Sequence, residues 1–161
     1  MEKELILVDN AVLSNFSLIG REDILHSLFK DTLSTTKEVF QELKRGEDTG
    51  ILPKRDWIWI KILKIESSQE EFLFRLFTKN LGKGESSCLS VAKARNFKVL
   101  TDDFDARKLA QRRGIPISGT IGILVEAIRE RILSINKGNA ILTEMIDKRY
   151  LSPFEKLDDL V

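Results

Sequence analysis

The chain has 161 residues, of which 26 are Lys or Arg and 25 are Asp or Glu, so its formal net charge is only +1. This length favours one domain spanning residues 1–161, and the 42% of hydrophobic residues suffice for a core, which excludes a disordered chain. The single Cys and single His exclude a zinc site of Cys and His ligands, which needs about four such side chains.

The first half of the chain is predicted to alternate strands and helices. Residues 5–8 form a continuous apolar run that stops at Asp9, which is typical of a strand buried on both faces of a parallel sheet. The pattern then predicts helices over 21–28 and 37–44, a polar loop over 46–53, a strand over 57–63 and a helix over 69–80. Thr35 or Thr36 is the expected cap of the second helix, and Gly82 is the expected stop after 69–80.

The second half continues the alternation without repeats, low-complexity segments or linkers. It predicts a helix over 85–95, a strand over 98–101, a helix over 104–113 stopped by Gly114, a strand over 115–117, and helices over 120–133 and 139–148. Short apolar strands alternating with helices indicate an α/β domain with a central, mostly parallel sheet.

The reactive side chains and the hydropathy pattern limit the compartment in which the protein can reside and the chemistry that it can perform. Cys88 has no intrachain partner for a disulfide, which fits a reducing compartment. His26 is the one candidate base for a serine or cysteine hydrolase, but its apolar neighbours favour a structural role. No run approaches the ~18 apolar residues of a membrane span, and the acidic start over residues 1–4 is unlike a signal peptide. We therefore expect a cytoplasmic protein whose polar chemistry uses carboxylates.

Acidic residues follow the predicted strands where a parallel sheet binds its ligands, beyond the carboxyl ends. Two of the three clearest strands end in aspartates, at Asp9 and at the pair Asp102 and Asp103. Glu85 lies close to the apolar face of its helix, in the first turn, and Glu42 lies at the edge of the apolar stripe of the preceding helix. All these acids are expected to converge on one edge of the sheet.

Clustered carboxylates repel one another unless a cation neutralises them. A site with oxygen ligands alone suits Mg²⁺ or Mn²⁺ and needs neither His nor Cys. Each acid also has a structural interpretation: Asp102 followed by Asp105 is a plausible helix cap, Glu85 benefits from the helix dipole, and Glu42 could form a surface ion pair.

A local excess of positive charge adjoins the aspartate pair. Between residues 93 and 113 there are seven basic side chains against three acidic ones: Lys93, Arg95, Lys98, Arg107, Lys108, Arg112 and Arg113. A cation site bordered by Lys and Arg suits a nucleic-acid backbone, whereas a solvated helix face is the structural alternative.

Four segments in this order resemble the acidic signatures of PIN-domain proteins. They are Val8-Asp9, Glu42 within residues 39–43, Gly84-Glu85 followed by residues 88–92, and Leu100-Thr101-Asp102-Asp103. The resemblance extends to residues 107–110, 119–124 and 150–153, so it covers nearly the whole chain. This last part is similar to a prokaryotic branch related to VapC-type toxins.

The resemblance implies a three-layer α/β/α fold and an Mg²⁺- or Mn²⁺-dependent endoribonuclease that leaves 5′-phosphate and 3′-hydroxyl ends. It implies that Asp9, Glu42, Glu85 and Asp103 are the metal-site acids. Asp102 and Asp103 are alternatives for the fourth of these acids, and the Thr-x-Asp pattern of the family favours Asp103.

Further site residues and partners follow from the same resemblance. Thr120 would line the site, Asn10 stands where many relatives have Thr or Ser, and Arg107 and Lys108 would hold phosphates. RNA is the implied substrate and an antitoxin protein a partner. Relatives commonly form homodimers, which the many apolar residues of 69–77 and 120–133 also favour.

Three other functions compete with this interpretation. A haloacid-dehalogenase-like phosphatase needs Asp-x-Asp after the first strand, and Asp9-Asn10-Ala11 breaks that pattern. A response-regulator receiver needs an acid pair there and a Lys after the last strand, which residues 117–120 do not supply. A non-catalytic RNA-binding or protein-interaction domain remains, although the complete set of acids argues against it.

Overall fold

The structure is a computed structural model that describes residues 4–161. Met1, Glu2 and Lys3, on which the expectation of no signal peptide partly rests, lie outside the described residues.

Five parallel strands form one sheet with the order β3-β2-β1-β4-β5. The strands are β1 (Ile6–Val8), β2 (Leu33–Thr36), β3 (Lys61–Leu63), β4 (Lys98–Leu100) and β5 (Ile117–Ser118). The helices are α1 (Asn10–Leu18), α2 (Glu22–Phe29), α3 (Lys37–Asp48), α4 (Ser68–Phe77), α5 (Lys83–Arg95), α6 (Phe104–Arg113), α7 (Thr120–Arg129) and α8 (Ile135–Asp147). A short 3₁₀ helix, Asp158–Leu160, lies near the carboxyl terminus.

Helices cover both faces of the sheet. Helices α1, α2, α7 and α8 contact one another, α4, α5 and α6 form a second group, and α3 contacts both groups. The chain moves from β1 outward to β3 and then returns across the sheet to β4, so right-handed crossovers place the two groups on opposite faces. The fold is therefore a three-layer α/β/α sandwich, which confirms the parallel α/β sheet predicted from the sequence pattern and the three layers implied by the resemblance.

The strand order creates a switch point between β1 and β4. The segment after β1 leads towards β2, whereas the segment after β4 leads towards β5. The two segments therefore diverge beyond the carboxyl ends of these neighbouring strands. Such a divergence opens a crevice at the edge of a parallel sheet. Asp9 follows β1, and Asp102 and Asp103 follow β4.

Strand β2 and helix α1 were missed by the sequence analysis. Strand β2 is Leu-Ser-Thr-Thr, yet all four residues are buried. Its hydroxyl groups make this possible: Thr35 Oγ1 donates to the Val8 carbonyl at 2.6 Å, and Thr36 Oγ1 lies 2.6 Å from Ser87 Oγ. A buried polar side chain is tolerated when it is hydrogen-bonded, so apolar runs alone do not reveal such a strand.

Several predicted boundaries were wrong. Helix α3 continues to Asp48, through part of the predicted loop. Gly82 caps the start of α5 and does not end α4, whose cap is Thr78. The predicted strand over 57–63 is reduced to β3, because Trp57 is buried in a turn with its indole N–H donated to Glu47 at 3.0 Å. Helix α7 ends at Arg129, four residues before the predicted end.

The caps of α3 and α6 are residues that the sequence pattern predicted. Thr36 Oγ1 accepts the Val39 N–H at 3.2 Å, which confirms one of the two expected caps. Gly114 has φ +69° and ends α6 in the left-handed conformation that glycine adopts without strain. Among residues 4–161, no helix is long and apolar enough to span a bilayer.

Candidate metal centre

Asp9 lies at the switch point, directly after β1, and is almost completely buried, with 3% of its surface exposed. Its Oδ1 accepts the Asn10 N–H at 2.7 Å, which makes Asp9 the N-cap of α1. Its Oδ2 accepts the Thr101 hydroxyl at 3.1 Å. The carboxylate is therefore held between β1 and β4, and Thr101 is a supporting residue that the sequence analysis did not single out.

Glu42 reaches the same region from α3 and meets the start of α5. The Gly84 N–H donates to Glu42 Oε1 at 3.2 Å. A Cβ at position 84 would lie 2.8 Å from both Glu42 carboxylate oxygens, so only glycine permits this approach. Glu85, in the first turn of α5, is the next residue.

The pKa values show that these three carboxylates act on one another. Burial raises the pKa of Asp9 from 3.8 to about 7, repulsion from Glu85 and Glu42 adds to the rise, and the hydrogen bonds from Asn10 and Thr101 oppose it. Burial, followed by repulsion from Glu85, also raises the pKa of Glu42. Asp9, Glu42 and Glu85 are hereafter called the acid cluster.

Asp103 caps α6 and adjoins the acid cluster through Thr101. Its Oδ2 accepts the Ala106 N–H at 2.8 Å, and its own N–H donates to Thr101 Oγ1 at 3.2 Å. The expectation that Asp102 caps this helix is therefore wrong. Asp103 Oδ1 accepts no hydrogen bond from the described part of the chain, so one oxygen stays available for a ligand.

Asp102 points to the start of α7 instead. Its Oδ1 accepts the Thr120 N–H at 2.9 Å, and its Oδ2 accepts the Thr120 hydroxyl at 2.5 Å and the Asn15 side-chain amide at 3.2 Å. The backbone of Gly119 passes so close to Asp102 Oδ1 that a Cβ there would overlap it. Both oxygens of Asp102 are thus used to join the end of β4 to α7 and α1.

The side chains proposed to contact substrate are in different environments. Thr120 is fully buried and its hydroxyl is donated to Asp102. Arg107 donates to the Thr101 carbonyl at 3.0 Å, which places its guanidinium at the end of β4 beside Gly119. Asn10 Oδ1 lies 3.4 Å from the Ser14 hydroxyl, and Lys108 is exposed.

The basic stretch over 93–113 does not form one patch. Arg95 is paired with Glu70 at 2.9 Å, and this contact is the main cause that lowers the pKa of Glu70 to about 2. Lys93 donates to the Arg113 carbonyl at 2.8 Å. Lys98 begins β4 and lies at the opposite edge of the sheet from the acid cluster. Arg107, Lys108, Arg112 and Arg113 remain on α6.

The remaining reactive side chains lack the partners that nucleophilic catalysis needs. Cys88 is completely buried, its Sγ lies 3.8 Å from the Val8 carbonyl oxygen, and burial followed by repulsion from Asp9 raises its pKa. His26 is exposed and stacks on Trp59 with ring centroids 4.4 Å apart. Thiolate chemistry is disfavoured here, because the thiolate is the reactive form.

The donor set fits a hard divalent cation. Asp9, Glu42, Glu85 and Asp103 supply oxygen atoms only, which Mg²⁺ and Mn²⁺ prefer. A bound cation would also offset the repulsion that raises the pKa of Asp9. As the side chains stand within residues 4–161, no three Asp, Glu, His or Cys groups are arranged as a ready coordination shell.

Comparison with known proteins gives a consistent result. A family model described as "DUF3368: PIN domain" matches residues 5–157. The fold is similar to that of SSO1118, a PilT N-terminus domain protein from the hyperthermophilic archaeon Sulfolobus solfataricus P2, with a TM-score of 0.50 and 14% identity over 77% of this chain and 93% of that chain. It is also similar to PAE2754 from Pyrobaculum aerophilum, with a TM-score of 0.51 and 16% identity over 77% of this chain and 90% of that chain. No curated protein matches the sequence.

Proposed function

This chain belongs to the PIN-domain family, and from that premise we propose that it is a divalent-metal-dependent endoribonuclease. PIN domains are generally nucleases that use divalent metal ions. The choice of Mg²⁺ or Mn²⁺ as the ion is supported by the acid cluster at the switch point of the sheet. The choice of RNA as the substrate is supported by membership of the family.

The acid cluster supports catalysis better than a purely structural role. Within residues 4–161, the two buried glutamates outside the cluster are paired with cations or an indole N–H group: Glu70 with Arg95, and Glu47 with Lys44 and Trp57. No cation of the described chain pairs with Asp9, and its pKa is raised to about 7. The hydrogen bonds that Asp9 and Glu42 accept do not offset the rise in their pKa values, whereas a bound cation would offset the repulsion.

We assign the residues the following roles. Asp9, Glu42, Glu85 and Asp103 hold the ion, Thr101 orients Asp9, and Asp102 with Thr120 and Asn15 positions the start of α7. When bound, the ion supplies the positive charge that stabilises the phosphate oxygens and activates the attacking water. Arg107 and Lys108, with Asn10 beside Asp9, hold the phosphates that flank the scissile bond, which positions the strand without reading its sequence.

The decisive experiment is cleavage of end-labelled RNA by the full-length chain. Mg²⁺ or Mn²⁺ should produce fragments with 5′-phosphate ends, and EDTA should stop the reaction. The Asp9→Asn variant is the control for a contaminating nuclease. RNA binding without cleavage under these conditions would instead support a non-catalytic PIN domain.

Metal binding should depend on Glu85. Mg²⁺ or Mn²⁺ at millimolar concentration is expected to raise the melting temperature of the wild-type protein, because a ligand that binds the folded state stabilises it. Glu85→Gln removes one charge from the cluster and should reduce both the heat of binding in calorimetry and the rise in melting temperature. An identical metal response in the two proteins would refute the assignment of Glu85.

Cys88→Ala is expected to leave RNA cleavage unchanged. The thiol lies in the core beneath Asp9, and its role is packing, with no base to activate it. Cleavage rates measured on the folded variant check this, and a loss of turnover would count against the carboxylate mechanism.

We further propose a cytoplasmic homodimer that acts as the toxin of a toxin–antitoxin pair. The apolar character of α7 is satisfied within the chain, since Ile123, Leu124 and Val125 are buried. Phe72 on α4 is 66% exposed and is the apolar residue that we expect a second copy to cover. Light scattering should give twice the 18.4 kDa of one chain, and the single-chain mass would refute the dimer. A small adjacent open reading frame would support an antitoxin.

A further inference from the structure

Phe104 is an apolar residue whose exposure the fold does not explain. It is 75% exposed at the first position of α6, directly after Asp103. Asp103 is tied through Thr101 Oγ1 to Asp9, with distances of 3.2 Å and 3.1 Å. The aromatic ring therefore stands at the rim of the metal centre.

Phe104 begins a line of side chains on one face of α6. Lys108 and Arg112 follow at four-residue intervals, which places all three within about 80° around the helix axis. At about 1.5 Å per residue, Lys108 lies about 6 Å and Arg112 about 12 Å farther along the axis than Phe104. The line leads from an aromatic ring to two positive charges, away from the acid cluster.

A groove of about 560 Å³ runs beside this line. One wall is α6, with Lys108 and Arg112, and the other is the end of α4 and the turn before α5, with Lys79 and Leu81. Each wall continues in sequence into a proposed ligand of the ion: α6 begins after Asp103, and the α4–α5 turn leads to Glu85. The lining ends at Asp105 on one wall and at Leu81 on the other, two and four residues in sequence from those ligands.

Within residues 4–161, three of the four cations that line the groove have no internal partner, whereas the Arg113 guanidinium lies over the Phe77 ring at 5.5 Å. Lys79, Lys108 and Arg112 are exposed, and none of them forms an ion pair within the described part of the chain. Asp105 is the one acid in the lining, so positive charge predominates. By contrast, Arg95 is engaged by Glu70.

We propose that this surface holds a single-stranded RNA segment, with one base stacked on Phe104 and the following phosphates bound by Lys108, Arg112 and Lys79. The inference rests on the proposed function, to which it adds the path of the strand and the requirement for an unpaired base. Single-stranded nucleic acids are bound by combining aromatic platforms with a positively charged groove. A base buried in a duplex cannot offer its face to Phe104.

The test is binding of a fluorescent single-stranded RNA oligonucleotide, measured by anisotropy across a range of salt concentrations. All variants carry Asp9→Asn and Mg²⁺ is present throughout, so the RNA stays intact. The variants are Lys108→Ala/Arg112→Ala, Phe104→Ala and Phe104→Trp. The matched control is Lys54→Ala/Lys137→Ala, which removes two exposed cations that do not line the groove.

Each variant should change a different quantity. Lys108→Ala/Arg112→Ala removes two phosphate contacts. It should therefore weaken binding and reduce the slope of log affinity against log salt by about 1.4. Phe104→Ala should weaken binding at least about fivefold at unchanged slope, since stacking is not ionic, and Phe104→Trp should retain the wild-type affinity. The Lys54→Ala/Lys137→Ala control should have the same affinity and the same salt slope as the protein that carries Asp9→Asn alone.

The outcomes separate this inference from the proposed function. If the wild-type chain cleaves RNA but the groove and Phe104 variants bind as the control does, the enzyme assignment stands and the strand path is wrong. If those variants lose binding as expected but the wild-type chain cleaves no RNA, the strand path stands and the enzyme assignment fails. Absence of RNA binding by the Asp9→Asn protein overturns the strand path, and absence of cleavage by the wild-type chain separately overturns the enzyme assignment.

Discussion

Asp9→Asn is expected to reduce RNA cleavage by at least about a hundredfold, the scale of losing one well-placed electrostatic group. The substitution keeps the shape of the side chain but removes the charge that the ion needs. An Asn oxygen can still accept the Asn10 N–H, and its amide can donate to the Thr101 hydroxyl oxygen, so the fold should persist. Single-turnover cleavage rates and circular dichroism measure the two effects separately.

The same variant should stabilise the metal-free protein. The pKa of Asp9 is about 7 when folded against an ordinary value of 3.8, so the unfolded chain releases this proton first as the pH rises. Metal-free wild-type protein should therefore lose stability between about pH 4 and pH 7. Asp9→Asn cannot ionise, so it should lack this decline and be more stable at pH 8 by up to about 4 kcal/mol.

Urea unfolding in EDTA at pH 5 and pH 8 checks this expectation. The variant and the wild type should be closer in stability at pH 5 than at pH 8. Addition of Mg²⁺ should raise the stability of the wild type more than that of the variant. A fully active Asp9→Asn protein, or one with the wild-type pH dependence of stability, would remove Asp9 from the proposed centre.

The second large effect separates Asp103 from Asp102. Asp103→Asn should lower cleavage by at least about a hundredfold with little change in stability, because Asn also caps helices well. Asp102→Ala should cost at least about 1.5 kcal/mol of unfolding free energy, since Thr120 and Asn15 lose their bonds to a charged acceptor. Its effect on cleavage should be smaller than that of Asp103→Asn.

Asp102→Asn completes this comparison. It keeps one acceptor oxygen for the Thr120 N–H and should fall between Asp102→Ala and the wild type in stability. If Asp102→Asn abolishes cleavage while Asp103→Asn does not, the two aspartates exchange roles. Full activity in both Asn variants would leave the centre with three acids and favour a binding domain.

The sequence by itself determined the fold class and the set of candidate acids. Short apolar strands that end in Asp9 or in Asp102 and Asp103 are local patterns, and strand and helix periods depend on residues only a few positions apart. Glu42 and Glu85 were predicted to face inward from the apolar stripes of their own helices. Helix ends that depend on a local cap, such as Thr36 and Gly114, were also predictable.

The tertiary structure alone decided which partner each acid has. Asp102 and Asp103 are adjacent residues of the same type, yet Asp103 caps α6 while Asp102 bonds to Asn15, which is 87 residues away, and to Thr120. No local pattern marks Asn15 as a support, and the Thr-x-Asp pattern that includes Thr101 does not reveal its hydrogen bond to Asp9. Such a bond depends on the positions of two segments that the chain brings together only when it folds. The same reason explains the missed polar strand β2 and the division of the basic residues between Arg95, which is paired with Glu70, and those lining the groove beside α6.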